Sequence, residues 1–151
     1  MHKECHSAKK DAISEVFETM FFVMVDFPAD ALAIEKDWCE SRIGLYREKV
    51  RQQEIAFRFH KDFARMLTAN LLSKREDGVA EDELEDAMKE LANMVGGSYL
   101  SRLHQEAWEL GIPHLLSPGK ETDEGLRQLS VSYFGAPAGE IRIHSNAPCQ
   151  D

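Results

Sequence analysis

Apolar residues recur at three- and four-residue spacing through residues 7–26 (Ala12, Ile13, Val16, Phe17, Met20, Val23, Met24), which predicts a helix. Phe27-Pro28 closes it, because the residue before proline is pushed out of the helical region. An irregular acidic stretch, 29–40, follows. Residues 42–48 and 54–59 then alternate with a period of two: Ile43 and Leu45 against Arg42, and Ile55, Phe57 and Phe59 against Ala56 and Arg58. That period marks half-buried antiparallel strands. A short helical pattern covers 61–73 through Phe63, Met66, Leu67 and Leu71, and a charged connection covers 74–80. The strongest helix spans 81–104, with Glu81, Asp82, Glu83 and Glu85 in its first turns, where the macrodipole favours negative charge. Gly111, Pro113, Pro118 and Gly119 define a long connection, and 126–134 and 140–143 read as two more strands. Each half therefore runs helix, connection, strand, strand. The expected fold class is α+β: two long pseudo-symmetric helices packed on an antiparallel β-sheet, with an internal two-fold repeat in one domain, 1–151.

Composition narrows the function classes. The chain has 151 residues, enough to bury a core without metals or disulfides. Its net charge of -9 argues against binding nucleic acid or an anionic membrane, since either needs a basic patch. No apolar run reaches the roughly 18 residues of a membrane helix, and acids interrupt the early apolar pattern where a secretory signal would run. Three unpatterned cysteines, Cys5, Cys39 and Cys149, suit a reducing cytoplasm.

On the second long helix the polar residues form a stripe. At 100° per residue, Asp86, Glu90, Asn93 and Gly97 fall at about 0°, 40°, 340° and 20°. Leu84, Ala87, Met88, Leu91, Ala92, Val95 and Tyr99 centre about 160° from Asp86. The apolar face packs on the sheet, so the stripe points at solvent. Glycine inside a helix costs about 1 kcal/mol relative to alanine, and Gly96 and Gly97 stand side by side. Such a cost is accepted where another backbone must approach closely. The plain alternative is a solvated outer face with an incidental acid and amide, its glycines packed against the sheet.

A repeat weighs against that alternative. Asp86-Ala-Met-Lys-Glu90-Leu-Ala-Asn93 echoes Asp11-Ala-Ile-Ser-Glu15-Val-Phe-Glu18, with Asp and Glu at the same offsets. The copies differ at the last polar position, where Glu18 answers Asn93, and Phe22 stands at the offset of Gly97. Glu18 adds charge and Phe22 adds bulk, so the first copy reads as degenerate. Phe21, Phe22 and Val25 widen its apolar circumference, which a connection or a second subunit would cover.

At these residues the sequence resembles the CheC/CheX/FliY group of chemotaxis phosphatases, and the single-site CheX type most. The family motif is Asp or Ser, three residues, Glu, two residues, Asn, with a proline farther along. Asp86, Glu90 and Asn93 match it, and Pro113 or Pro118 would be the proline. The resemblance implies an α+β fold with two pseudo-symmetric helices, and a CheY-like response regulator phosphorylated on aspartate as substrate. Glu90 would pair with the regulator's active-site lysine, and Asn93 would orient the attacking water. Asp86 and Gly97 would lie in the partner contact. No cofactor of its own is implied, because the regulator brings Mg²⁺. CheX-like relatives are dimers, which implies a homodimer. An amide suits the catalytic position, since it donates and accepts without adding negative charge beside phosphoryl oxygens. The competing readings are a non-catalytic regulator-binding module of the same fold and, more weakly, a structural dimerisation domain.

Other constellations carry less. His2, Cys5 and His6 lie close together, but four metal ligands are not visible. Gly119-Lys120 lacks the preceding P-loop glycine, and no G-x-S-x-G elbow occurs. Trp38 and Trp108 read as packing residues.

Overall fold

The computed structural model of the chain describes residues 2–29, 37–103, 107–116 and 126–145, the side chains of residues 2–6 and 126–128 excepted. Helix α1 (His2–Met20) leads to a hairpin of β1 (Trp38–Arg47) and β2 (Val50–His60). Helix α2 (Lys61–Leu72), a 3-10 turn (Glu76–Gly78) and the long α3 (Glu81–Leu103) follow. Two short strands, β3 (Trp108–Leu110) and β4 (His114–Leu116), precede a second hairpin, β5 (Leu126–Tyr133) and β6 (Ala136–Ser145). One sheet forms in the order β3-β1-β2-β6-β5, with β4 also on β1, and every pairing is antiparallel. The class is α+β, with three helices on the sheet, the short α2 standing where the sequence carries its short helical pattern over 61–73.

Alternation explains the core. Ile43, Leu45, Ile55, Phe57, Phe59, Leu129, Val131, Ile141 and Ile143 take one side of their strands and join the apolar sides of all three helices in a single buried cluster. Phe17 of α1 sits among aromatic rings, edge-on to Phe21 at 6.1 Å, Phe59 at 5.8 Å and Phe63 at 6.2 Å. Truncating a phenylalanine buried this fully costs about 3–5 kcal/mol.

The polar side of the sheet departs from expectation. It should be half-solvated, yet Glu40, Arg42, Glu54, Arg58 and Glu140 are all buried. They neutralise one another: Arg42 binds Glu40 at 2.7 Å and Glu54 at 3.0 Å, and Arg58 binds Glu40 at 2.9 Å and Glu140 at 3.4 Å. The Trp38 ring stacks on the Arg58 guanidinium at 4.2 Å. Strand register makes this possible by setting Arg58 between Glu40 on β1 and Glu140 on β6. Charges at alternate positions look like a wet face until the register shows each one its counterion.

Helix α1 also ends earlier than its periodicity suggests, at Met20 rather than residue 26. Phe22 turns left-handed (φ 59°), and the Phe17 carbonyl accepts from both Phe21 and Val23 N–H. From there burial alternates: Phe21 and Val23 go inward, Phe22, Met24 and Asp26 outward. Apolar residues on both sides of an extended segment mimic helical spacing, so the period runs on past the true boundary. Phe22 is thus not on the helix and does not correspond to Gly97. Strands β3 and β4 have no signature in the sequence because three residues are too few to show a period. They frame Gly111, whose N–H donates to the Gly44 carbonyl at 2.8 Å. A Cβ on Gly111 would stand 3.0 Å from that oxygen and 2.7 Å from the Tyr46 ring, so any side chain there would have to displace the ring.

The two hairpins share local features. Each turns on two left-handed residues, Glu48-Lys49 and Phe134-Gly135. Each carries a register shift just before its turn, at Leu45/Tyr46 and Val131/Ser132. Positive φ at both positions is what a two-residue turn matched to strand twist demands.

Candidate functional site

The stripe on α3 is where the sequence put it. Leu84, Ala87, Met88, Leu91, Ala92, Val95, Gly96 and Tyr99 are the buried residues of the helix. Asp86 and Glu90 are exposed on its other side, and Asn93 and Gly97 are half-buried. Local chemistry anchors the N-terminal end. The Glu83 carboxylate accepts from Ala80 N–H at 3.0 Å and pairs with Lys74 at 2.8 Å. This reach back to the residue before the helix satisfies one of its orphan N–H groups. Lys61 pairs with Glu81 at 3.3 Å, tying α2 to the same end.

The two glycines separate. A Cβ on Gly96 would lie 2.7 Å from Leu110 and 3.4 Å from Ile43, so Gly96 lets the helix approach the sheet. A Cβ on Gly97 would meet nothing within 4 Å. Half of the plain alternative is thereby right, for Gly96 alone. At Gly97 the cost of a mid-helix glycine has no intramolecular reason among the described residues. None of Asp86, Glu90 and Asn93 has a hydrogen-bond or ion-pair partner among the described residues either. An acid and an amide one turn apart, unengaged beside open space, can reach into a surface brought against the helix.

The first copy is built differently. Asp11, Glu15 and Glu18 are exposed on α1, as the repeat predicts. The Glu15 carboxylate, however, is ion-paired with Arg102 in the last turn of α3. Sequence reasoning misses Arg102, since nothing in either residue's neighbourhood signals a partner so far along the chain. The equivalent carboxylate in the two copies is therefore engaged in one and free in the other.

Other candidates resolve quickly. The Cys39 thiol is pushed up to about 11, chiefly by burial, so it stays protonated and is no nucleophile. His2 and Cys5 fall within α1, their side chains, like that of His6, outside the description. Pro113 is half-buried between β3 and β4, whereas Pro118, Gly119, Lys120 and Cys149 lie outside the described residues. Trp38 is a packing residue, on Arg58, and Trp108 lies half-buried in β3. A recess of about 820 Å³ lies between α2 and the β5–β6 hairpin, lined among others by His60, Arg65, Met66 and Tyr133. It includes no stripe residue. No helix among the described residues is long and apolar enough to cross a membrane.

Comparison with known proteins bears on this arrangement. The family model described as chemotaxis phosphatase CheX matches residues 46–135. No curated protein sequence matches. Among solved structures, the chemotaxis protein CheX from Vibrio vulnificus is 20% identical with a TM-score of 0.74, covering 93% of this chain and 98% of its own. The CheX-CheY-BeF3-Mg²⁺ complex from Borrelia burgdorferi contains a chain 19% identical with a TM-score of 0.71, covering 91% and 95%. A CheC-like superfamily protein from Shewanella is 18% identical with a TM-score of 0.69, covering 95% and 97%.

Proposed function

The chain belongs to the chemotaxis phosphatase CheX family, and on that premise we propose that it accelerates hydrolysis of the aspartyl phosphate on a CheY-like response regulator. The observation carrying the mechanism is the unengaged pair Glu90 and Asn93 beside the open space at Gly97. Helix α3 lies across the regulator's phosphorylation site, with Asp86 and Gly97 in the contact. Glu90 pairs with the regulator's lysine, a charge-assisted bond worth about 1.5–3 kcal/mol. Asn93 accepts from a water and holds it in line with phosphorus. The water oxygen bonds to phosphorus as the bond to the aspartyl oxygen breaks, releasing inorganic phosphate and restoring the aspartate. Mg²⁺ on the regulator neutralises the phosphoryl oxygens, so this chain needs no metal. Phosphoryl transfer through a loose transition state depends mainly on positioning and charge, which is why two side chains suffice.

Several finer features belong to the same reading. Residues 1–151 act as one CheC-like domain of two half-units, a reading supported by the repeated helix motif and by the matched turns and register shifts of the hairpins. The protein works in the cytoplasm, where its regulator is, as a homodimer, without nucleic-acid or membrane partners. Decay of a phosphorylated CheY-like regulator, followed with and without this protein, tests the function. Binding without faster decay would establish the non-catalytic module instead.

A further inference from the structure

Away from α3, the chain puts apolar side chains in water at one corner, and at two positions it does so from a strained backbone. Phe22 (φ 59°) is 70% exposed and Phe134 (φ 50°) is 87% exposed. Left-handed φ is a genuine outlier for bulky residues and is the ordinary place for glycine or asparagine. Met24 is 74% exposed and Met20 41% exposed. Asp26 and Ser132 exchange both backbone hydrogen bonds at 2.9 Å in an antiparallel bridge. The bridge sets the segment that carries Met20, Phe22 and Met24 beside the end of β5, which Phe134 follows. The hairpin turn accounts for the backbone at Phe134, whose ring meets that of Tyr133 at 4.6 Å, but not for a phenylalanine there. Phe22 is likewise outside the core. Bulky apolar residues kept at left-handed positions in water point to use elsewhere.

Charge says what the corner takes. Between Glu18 and Asp26 no other residue is charged, and the last turn of α1 contains no basic residue. Both carboxylates are exposed without ion-pair partners among the described residues. A second copy docking through this same corner would bring two more carboxylates to the contact and no cation from residues 18–26. A partner of opposite sign meets no such repulsion. Asp26 already occupies the edge of β5 beside Ser132, which blocks strand addition at this end. Unbranched methionines adapt to a helix laid across them. We propose that Met20, Phe22, Met24 and Phe134 form a docking surface for an amphipathic helical segment of another protein, whose apolar face is flanked by lysine or arginine.

A fluorescein-labelled amphipathic helical peptide of leucine and lysine, titrated with the full chain and read by anisotropy, tests this. Phe22→Ser and Phe134→Ser should each weaken binding about tenfold, as interface anchors do. The double reversal Glu18→Lys with Asp26→Lys should weaken it as much, and the same peptide with glutamate for lysine should not bind. Phe22→Gly should raise Tm, because glycine relieves the left-handed strain. Equal peptide binding by wild type and all variants would overturn the proposal, as would binding of the glutamate peptide. So would sedimentation showing that Phe22→Ser dissociates the protein, which would make the corner a contact between copies. A lower Tm for Phe22→Gly would overturn it too, because Phe22 would then serve the fold.

Discussion

Helices α1 and α3 carry the same Asp and Glu offsets, yet the fold engages the glutamate of one and leaves that of the other without a partner among the described residues. On α1 the glutamate is held by Arg102, the third polar position is an acid, and the helix stops at Met20. On α3 the glutamate and the amide are unpartnered, and the helix continues past Gly97 with open space above it. The difference teaches that spacing alone does not define such a site. What defines it is polar groups left unsatisfied by the fold, on a helix whose backbone can be closely approached.

The sharpest break of the comparison is Asn93→Ala, which makes the third position of α3 as useless as that of α1. Acceleration of dephosphorylation should fall by roughly a hundredfold, the scale of a misplaced reactant. Regulator binding, measured by titration with a BeF3-treated regulator, should change little. Glu90→Ala should weaken binding and rate together, because the regulator's lysine loses its counter-charge. Full activity of Asn93→Ala would sink the mechanism.

The adjacent glycines sharpen the contrast within α3 itself. Gly97→Leu should block docking while leaving stability unchanged or up to about 1 kcal/mol higher, since leucine is the better helix former. Gly96→Leu should instead destabilise by about 1–3 kcal/mol, because its side chain would drive into Leu110 and Ile43. Chemical denaturation and regulator titration on both variants separate the two roles. Equal stability loss at both positions would show that Gly97 also serves packing.

How far such differences are legible in the sequence depends on how local they are. The buried face of α3 follows from its period, and the acid-amide stripe follows as its complement. The Glu15–Arg102 pair does not, because it depends on how α1 and α3 pack. The buried charges around Arg58 are equally hidden, for only strand register brings Glu40 and Glu140 to it. The end of α1 is obscured by chemistry, since Phe22 and Met24 are apolar residues placed in water. The separate fates of Gly96 and Gly97 need the packed structure too, as adjacent positions lie about 100° apart on the wheel.

A smaller effect is expected on the first copy. Glu15→Ala should leave phosphatase activity near wild type, in contrast to Glu90→Ala. It should lower stability by about 0.2–1 kcal/mol, as befits a partly exposed ion pair. Glu18→Asn should not create a second site, because Glu15 stays with Arg102 and α1 ends one turn too soon. Activity lost in a folded Glu15→Ala protein would make α1 a working surface after all.

The smallest effect concerns how α3 begins. Glu83 is held below the usual carboxylate range, first by its bond from Ala80 N–H and then by Lys74. A lowered carboxyl value means the folded state prefers the charged form. Its contribution is complete above the ordinary glutamate value of about 4.3 and disappears as pH falls through the lowered one. Glu83→Gln keeps an acceptor for Ala80 N–H but removes the charge facing Lys74. The variant should therefore melt slightly below wild type at neutral pH, with the gap closing as pH falls below the ordinary glutamate range and wild-type Glu83 protonates. Dephosphorylation should be unaffected, because Glu83 lies off the stripe. A gap that stays constant throughout the acid range would mean that side-chain shape, and not charge, holds the start of α3.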